Sequence, residues 1–163
     1  MNWDEYFMRR AYLAAEMSKD PRTKIGAVLV RDGKWDISSG FNGFPAKVQD
    51  SPERYSDRNT KLKMIVHAEA NSVLQCAKLG YSSLGTTLYT LGMPCNECMK
   101  TIIQGGITSI VLHKQWPEMT YSGDWVEAFR ISTIMAREAE INISYLDKVL
   151  GIKGFCDGKE MNV

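Results

Sequence analysis

Apolar side chains recur every three or four residues at the start of the chain. This spacing predicts an amphipathic helix over residues 2–19. The apolar positions are Trp3, Tyr6, Phe7, Tyr12, Leu13 and Met17. Asp20-Pro21 then ends the helix, because proline lacks the backbone N–H that a helix interior needs.

Two short apolar runs follow this helix. Residues 25–30 (IGAVLV) form a continuous apolar run of strand length, and residues 35–41 carry a second strand pattern. Asp32-Gly33 between them is a typical turn dipeptide. The two runs are therefore predicted to pair as a β-hairpin.

Predicted helices and strands alternate from residue 68 onward. Glycines at 80 and at 105–106 favour helix C-termini, and Asp124 is a candidate N-cap. The predicted elements are helices over 68–79, 95–104 and 124–139 and strands over 86–91, 107–113 and 141–145. With the hairpin, they predict a three-layer α/β/α fold in which helices cover both faces of a central mixed five-stranded sheet.

Two segments lack a sustained helical or strand period. Residues 43–66 are polar, contain two prolines and are long for a connection, so we expect an insertion that acts as a lid or an interface element. Residues 151–163 (GIKGFCDGKEMNV) are expected to form a loose C-terminal tail. Residues 1–150 are expected to form one domain, since a chain of 163 residues supports one core of ordinary size.

Composition and charge narrow the functional classes. Apolar residues make up 44% of the chain and charged residues 24%, which is typical of a globular domain. A net charge of +1 disfavours a polynucleotide partner. No apolar run approaches the roughly 18 residues of a membrane span, and the N-terminal residues do not resemble a signal peptide. We therefore expect no membrane partner and a cytoplasmic protein, in the host cytoplasm if the chain is viral.

The cysteines indicate a metal or redox site rather than disulfides. Cys95 and Cys98 form a Cys-x-x-Cys pair at the start of a predicted helix, where the helix dipole stabilises thiolates and two convergent thiolates favour zinc. His67 and His113 are the only imidazoles. His67 starts another predicted helix, so two helix N-termini at one sheet edge would bring it to the same metal as the thiolates. The fourth position would then be open, as in catalytic zinc sites.

Glu69 stands two residues after His67. On a regular helix such residues point about 200° apart, so their side chains converge only if the metal lies beyond the helix end. Taken alone, His67-Ala-Glu69 also fits an ordinary helix start, and Cys-x-x-Cys also fits a redox or structural zinc site. Together the residues match the H-x-E…P-C-x-x-C pattern of zinc deaminases.

In these residues the chain resembles the zinc-dependent nucleoside and nucleotide deaminases, and within them the deoxycytidylate (dCMP) deaminases. The resemblance covers most of residues 1–150. Short-chain cytidine deaminases instead have cysteine where His67 stands. The matching segments are 20-DPRTKIGAVLV-30, 40-GFNGFP-45, 67-HAEAN-71 and 87-TLYTLGMPCNECMKTIIQGGI-107.

The resemblance implies a mechanism. His67, Cys95 and Cys98 would hold one Zn²⁺, and a zinc-activated water would attack C4 of cytosine. Glu69 would take the proton of that water, place it on N3 and later help to protonate the departing ammonia. The reaction would be hydrolytic deamination of dCMP to dUMP, which supplies dUMP for thymidylate synthesis.

Four residues are candidates for contacts with the base and sugar. The resemblance implies that Asn42 lies near the sugar and that the backbone N–H of Ala68 meets the cytosine carbonyl. Asn42-Gly is also a strong turn dipeptide, so Asn42 fits a structural role as well. Trp116 and Tyr121 would either wall the base or sugar or pack beneath their own loop.

Two sets of residues are candidates for phosphate binding. Arg22 and Lys24 precede the first predicted strand and are the candidates for the 5′-phosphate, although loop cations are often only solvated. Similar dCMP deaminases are commonly hexamers that dCTP activates and dTTP inhibits, with Mg²⁺ accompanying the triphosphate. If this regulation carries over, the candidate effector contacts are Gly40, Asn42, Gly43 and Lys78.

Two other functions remain open. A deaminase of the same fold that acts on tRNA adenosine or guanine would need the same metal and glutamate, although the low net charge and long insertion favour a free nucleotide. A non-catalytic zinc-stabilised binding domain would need a fourth protein ligand. His113, interpreted as a strand-end residue, and Cys76 and Cys156, interpreted as non-ligands, are the candidates for it.

Overall fold

Helices and strands alternate along the structure, a computed structural model that describes residues 1–117 and 124–163. The helices are α1 (Trp3–Glu16), α2 (Pro52–Ser56), α3 (Arg58–Met64), α4 (Ala68–Leu79), α5 (Asn96–Gln104) and α6 (Asp124–Glu138). The strands are β1 (Gly26–Arg31), β2 (Trp35–Phe41), β3 (Thr87–Thr90), β4 (Ser109–His113), β5 (Asn142–Leu146), β6 (Lys153–Cys156) and β7 (Lys159–Asn162). Within these described ranges, no helix is long and apolar enough to cross a membrane.

Five strands form one mixed sheet in the order β2-β1-β3-β4-β5. β1 is antiparallel to β2 and β3, whereas β3, β4 and β5 are parallel to one another. β2 and β3 therefore run in the same direction and end at the same edge of the sheet. The mixed five-stranded sheet predicted from the sequence is confirmed.

Both faces of the sheet are covered by helices. Val28 and Val30 of β1 join α1 in one apolar core, while Ala27 and Leu29 join α4 and α5 in the other. Ala136 of α6 belongs to the second core. Burial on both faces explains why β1 is a continuous apolar run rather than an alternating one, and it gives the predicted three layers.

The first helix forms where the sequence predicts it, but of the six predicted apolar positions it buries only Phe7 and Tyr12. Its buried residues are Glu5, Phe7, Met8, Ala11, Tyr12 and Ala15. Trp3, Leu13 and Met17 are each more than half exposed. A Cβ atom at Gly26 of β1 would lie 1.9 Å from the carbonyl oxygen of Ala11. The helix therefore meets the strand backbone to backbone, and only small side chains fit between them.

The 43–66 segment, expected to be irregular, contains α2 and α3, and is folded against the rest of the chain. Gly43 and Val66 pair through two backbone hydrogen bonds of 3.0 and 2.8 Å. The ammonium group of Lys61 lies 3.2 and 3.1 Å from the two carboxylate oxygens of Asp20, and both side chains are buried. Helices of five and seven residues are too short to show a clear apolar period.

The expectation of a loose C-terminal tail is wrong. β6 and β7 form an antiparallel hairpin, and Asp157 and Gly158 at its turn both have positive φ, 49° and 77°, as a type I′ turn requires. Leu150, Cys156 and Val163 are buried in the same core as α1. The segment is held by these long-range contacts, which its local composition does not reveal.

Close contact between β2 and α4 determines where α4 begins. A Cβ atom at Gly40 would lie 2.3 Å from the carbonyl oxygen of Ala68 and 2.6 Å from the backbone nitrogen of Ser72. The Ser38 hydroxyl donates to the Ser72 carbonyl at 2.5 Å, and the Asn71 amide donates to the Phe41 carbonyl at 2.8 Å. The first turn of α4 is thereby fixed against the end of β2.

We predict that Gly40→Ala lowers the free energy of unfolding by about 1–3 kcal/mol, because the new methyl group clashes with the α4 backbone. Urea denaturation measures this change. Gly43→Ala is the matched control, since a Cβ atom there would meet Phe41 at 3.7 Å, an ordinary contact distance. An equal loss of stability in both variants would contradict the proposed contact.

Candidate active site

Two helix N-termini bring His67, Cys95 and Cys98 together. His67 is the N-cap of α4 and Cys95 the N-cap of α5, and both have extended backbones (φ −74°, ψ 156° and φ −69°, ψ 170°). Cys98 lies in the first turn of α5. The three side chains therefore meet beyond the helix ends, as the angular argument about Glu69 requires.

The separations of the three donor atoms fit a tetrahedral zinc ion. His67 Nδ1 lies 3.5 Å from Cys95 Sγ and 3.4 Å from Cys98 Sγ. Ordinary Zn–N and Zn–S bond lengths at a tetrahedral angle place these atoms about 3.6 Å apart. Among the residues that the structure describes, 1–117 and 124–163, His67, Cys95 and Cys98 form the group whose ligand atoms all lie within 4.8 Å of one another. One imidazole and two thiols are a ligand set typical of zinc.

The charges of the cluster favour a bound cation. The Cys98 thiol donates to Cys95, which lowers the pKa of Cys95 to about 4. The same bond, together with burial, raises the pKa of Cys98. The hydrogen bond to Cys95 raises the pKa of His67. Without a cation, the protein therefore favours one thiolate and resists a second, and a divalent cation removes that repulsion.

Glu69 lies beside this cluster. Its carboxyl group is buried, and its Oε2 atom is 3.6 Å from Cys98 Sγ. Burial raises the pKa of Glu69. The sequence-based expectation that Glu69 reaches the same point as the three candidate ligands agrees with this position.

A cavity of about 650 Å³ opens above the cluster. The ring of His67 stacks on that of Trp125 at 6.2 Å, and Trp125 stacks on Phe129 at 5.9 Å. These two aromatic residues of α6, with Ile65, line the cavity but were not among the sequence-based candidates. A Trp and a Phe four residues apart on a helix are more often core residues, so their spacing alone does not indicate a pocket.

Two of the predicted contacts with base and sugar line the cavity and also have structural roles. The Asn42 side chain accepts from Ile25 N–H at 2.8 Å and donates to the Thr23 carbonyl at 2.9 Å, which holds the loop before β1. Trp116 is buried and packs on Tyr12 at 6.0 Å. The two alternatives for Asn42 and Trp116, structural and functional, are therefore compatible.

The remaining predicted substrate contacts are placed differently. Ala68 is buried in the cavity wall at the first position of α4, where a backbone N–H has no partner within the helix. Arg22 lines the cavity and is paired with Asp157. Lys24 is not among the described lining residues, and its ammonium group lies over the ring of Phe155 at 5.8 Å. Tyr121 lies outside the described residues.

The candidate effector contacts do not form one cluster. Gly40 is buried against α4, and Gly43 is paired with Val66. Lys78 is exposed near the other end of α4, about 15 Å along the helix axis from Ala68 at 1.5 Å per residue. The structure places Gly40 and Gly43 in packing contacts.

The candidates for a fourth protein ligand are engaged elsewhere. His113 is buried, accepts from the Tyr12 hydroxyl at 2.8 Å and donates to the Lys148 carbonyl at 2.8 Å. Burial lowers the pKa of His113. Cys76 lies in the core and Cys156 in the C-terminal hairpin, and neither belongs to the donor group found among the described residues.

Comparison with known proteins identifies the family. The family described as cytidine and deoxycytidylate deaminase zinc-binding region matches residues 1–114. The chain belongs to this family. Among its curated relatives, a probable deoxycytidylate deaminase of Drosophila melanogaster is 39% identical over 121 residues, covering 68% of this chain and 59% of its own length. The human deoxycytidylate deaminase is 37% identical over 116 residues, covering 68% of this chain and 64% of its own length.

Coverage and fold similarity complete the comparison. The match spans about three fifths of the length of those two relatives. The ComE operon protein 2 of Bacillus subtilis is 31% identical over 148 residues, covering 90% of this chain and 76% of its own length. The crystal structure of a dCMP deaminase from cyanophage S-TIM5 matches with a TM-score of 0.65 and 22% identity, over 88% of this chain and 96% of that one. This last likeness establishes the fold.

We predict that His67→Ala, Cys95→Ala and Cys98→Ala each reduce the zinc content from about one ion per chain to near zero, because each removes one of three ligands. Elemental analysis after dialysis measures the content. Cys76→Ala is the control, since that thiol lies in the apolar core. Full zinc retention by Cys98→Ala would exclude it as a ligand.

Proposed function

We propose that this chain catalyses the hydrolytic deamination of dCMP to dUMP and ammonia. The observation that carries the proposal is the convergence of one imidazole and two thiols with a buried carboxyl group at a cavity of nucleotide size. The curated relatives named as deoxycytidylate deaminases support the choice of substrate. The cyanophage enzyme of the same fold was solved in complex with dCMP and dUMP.

The metal and the carboxyl group would have separate tasks. His67, Cys95 and Cys98 would hold Zn²⁺, which, when bound, makes a water molecule a stronger nucleophile at neutral pH. Glu69 would accept a proton from the attacking water and deliver it to N3 of cytosine. It would then help to protonate the departing amino nitrogen. Its position 3.6 Å from Cys98 Sγ supports this role.

The cavity walls would orient the base. The free backbone N–H of Ala68 at the start of α4 is suited to donate to the cytosine carbonyl. The base and sugar would lie between Trp125, which stacks on His67, and the buried Trp116. Asn42 would act by holding the loop that precedes β1, because its amide is bonded to that loop.

The segment 43–66 would serve as a lid over this pocket. Arg58, Lys61 and Leu62 of α3 line the cavity. The buried ion pair between Lys61 and Asp20 joins α3 to the loop after α1. We propose that this lid, the sheet and the C-terminal hairpin act together as a single deaminase domain.

The alternative functions are less well supported. A structural zinc site normally has four protein ligands, whereas three such donors cluster within the described ranges. A purely structural site does not need a buried carboxyl group beside those donors, and burying one costs free energy. Guanine deaminases from Nitrosomonas europaea share the fold at 16% identity and a TM-score of 0.52, which does not bear on the substrate.

Regulation and assembly stay predictions from the family resemblance. They comprise activation by dCTP, inhibition by dTTP, Mg²⁺ bound with the triphosphate, a hexameric assembly and the use of dUMP for thymidylate synthesis. The large exposed side chains of α4 and its following loop, Leu74, Leu79 and Tyr81, are compatible with contacts between subunits.

We predict that Glu69→Gln retains zinc and loses dCMP turnover by at least about 10²-fold, because the amide cannot carry the proton. Ammonia release and zinc content are measured on the same sample. Glu127→Gln is the control, since Glu127 is exposed and paired with Arg130. Substantial residual turnover would remove Glu69 from the proposed role, and wild-type preference for CMP, cytidine, guanine or tRNA over dCMP would refute the proposed substrate.

We predict that dCTP with Mg²⁺ increases the rate at low dCMP concentration and that dTTP decreases it. Steady-state rates with each triphosphate, with and without Mg²⁺, measure the response. Mg²⁺ alone is the control. Flat responses to both triphosphates would show that this chain lacks the regulation.

A further inference from the structure

Four basic side chains line the same cavity as the candidate metal centre. They are Arg22, Arg58, Lys61 and Lys159. Two of these cations have carboxylate partners, Lys61 with Asp20 and Arg22 with Asp157. Arg58 and Lys159 take part in none of the ion pairs found within residues 1–117 and 124–163. The cavity therefore has two cationic side chains available to a ligand.

These two cations belong to one group around Asp157. Arg22 lowers the pKa of Asp157 most, through a hydrogen bond, and Lys159 and Arg58 lower it further by their charge. Arg22, Arg58 and Lys159 line the cavity together with Asp157, so three cations share one carboxylate there, which leaves an excess of two positive charges. Glu160, which also lines the cavity, is paired with Lys153 at 2.9 Å on the neighbouring strand.

The C-terminal hairpin holds Lys159 at this position. The backbone N–H of Lys24 donates to the Phe155 carbonyl at 3.0 Å, and that of Gly158 donates to the Arg22 carbonyl at 2.6 Å. The backbone N–H of Asp157 donates to the Thr23 hydroxyl at 3.2 Å. These bonds attach the hairpin turn to the loop before β1, so Lys159, just after the turn, is held at the cavity.

A nucleoside monophosphate would match this arrangement. Its phosphate carries a charge of about −1.5 to −2 at neutral pH, which the excess of two positive charges at the cavity complements. Arg58 offers a planar guanidinium group that can hold two phosphate oxygens, and Lys159 offers a compact ammonium group. The base would occupy the end of the cavity formed by His67 and Glu69, because those residues line the same cavity.

Building on the proposed function, we propose that Arg58 of the lid and Lys159 of the C-terminal hairpin bind the 5′-phosphate of the substrate and select the nucleotide over the nucleoside. Lys159 lies outside the segment that the family description matches, residues 1–114. The paired Arg22 would assist by holding Asp157 and the hairpin turn in place.

The test compares dCMP with deoxycytidine on the zinc-loaded full chain. Arg58→Ala and Lys159→Ala are each expected to lower kcat/KM for dCMP by roughly tenfold or more, the usual effect of losing a hydrogen bond between charged groups. The value for deoxycytidine should change less than about twofold. Lys34→Ala is the control, because Lys34 is exposed in the turn between β1 and β2 and is not among the described lining residues.

The outcomes separate this inference from the proposed function. Unchanged kcat/KM for dCMP in both variants, or equal losses on dCMP and deoxycytidine, would overturn the phosphate contact while dCMP deamination by the wild type stands. If the wild type deaminates no nucleotide, the proposed function fails, and calorimetric binding of dCMP decides the phosphate contact by itself. Weaker binding to both variants than to Lys34→Ala would support the contact, and equal binding would overturn it.

Discussion

The need to stabilise two buried sulfur atoms beside one another is the constraint on which the site depends. Thiols only a few ångströms apart cannot both lose their protons without positive charge nearby. The N-termini of α4 and α5 supply part of that charge, and a divalent cation would supply the rest. Both helices must therefore begin at one point, where β2 and β3 end at the same sheet edge. Gly40 matters for this reason, since a larger residue would displace α4.

Residues of the 43–66 segment and of the C-terminal hairpin line the cavity beside this centre. The ion pair between Lys61 and Asp20 is buried at both ends, and such a pair costs much desolvation unless further hydrogen bonds complete it. Asp20 has them, because it also accepts from the backbone N–H of Arg22 at 2.8 Å. The hairpin reaches the same loop from the other end of the chain. Residues 135 positions apart in sequence, Arg22 and Asp157, thus meet at the cavity.

Local patterns were enough to predict the sheet and the convergence of the candidate metal ligands. His67, Glu69 and the two cysteines are recognisable because their chemistry depends on short spacings at helix starts, and the five strands show clear apolar runs. The other features depend on contacts distant in sequence. The buried face of α1 is determined by its contact with Gly26 of β1. The C-terminal hairpin has strands of only four residues, which are stabilised by packing against the core. The position of Lys159 at the cavity was not predicted, because residues 151–163 were expected to form a loose tail.

Because the C-terminal hairpin forms part of the pocket, the groups proposed for catalysis and part of the pocket wall come from different segments of the chain. The groups proposed for bond cleavage lie within residues 1–114, whereas one wall of the cavity comes from residues 156–161. Changes in the hairpin can alter which molecules enter the cavity without disturbing the candidate zinc ligands. In evolutionary terms, substrate preference in this family member can diverge while the proposed chemistry is retained.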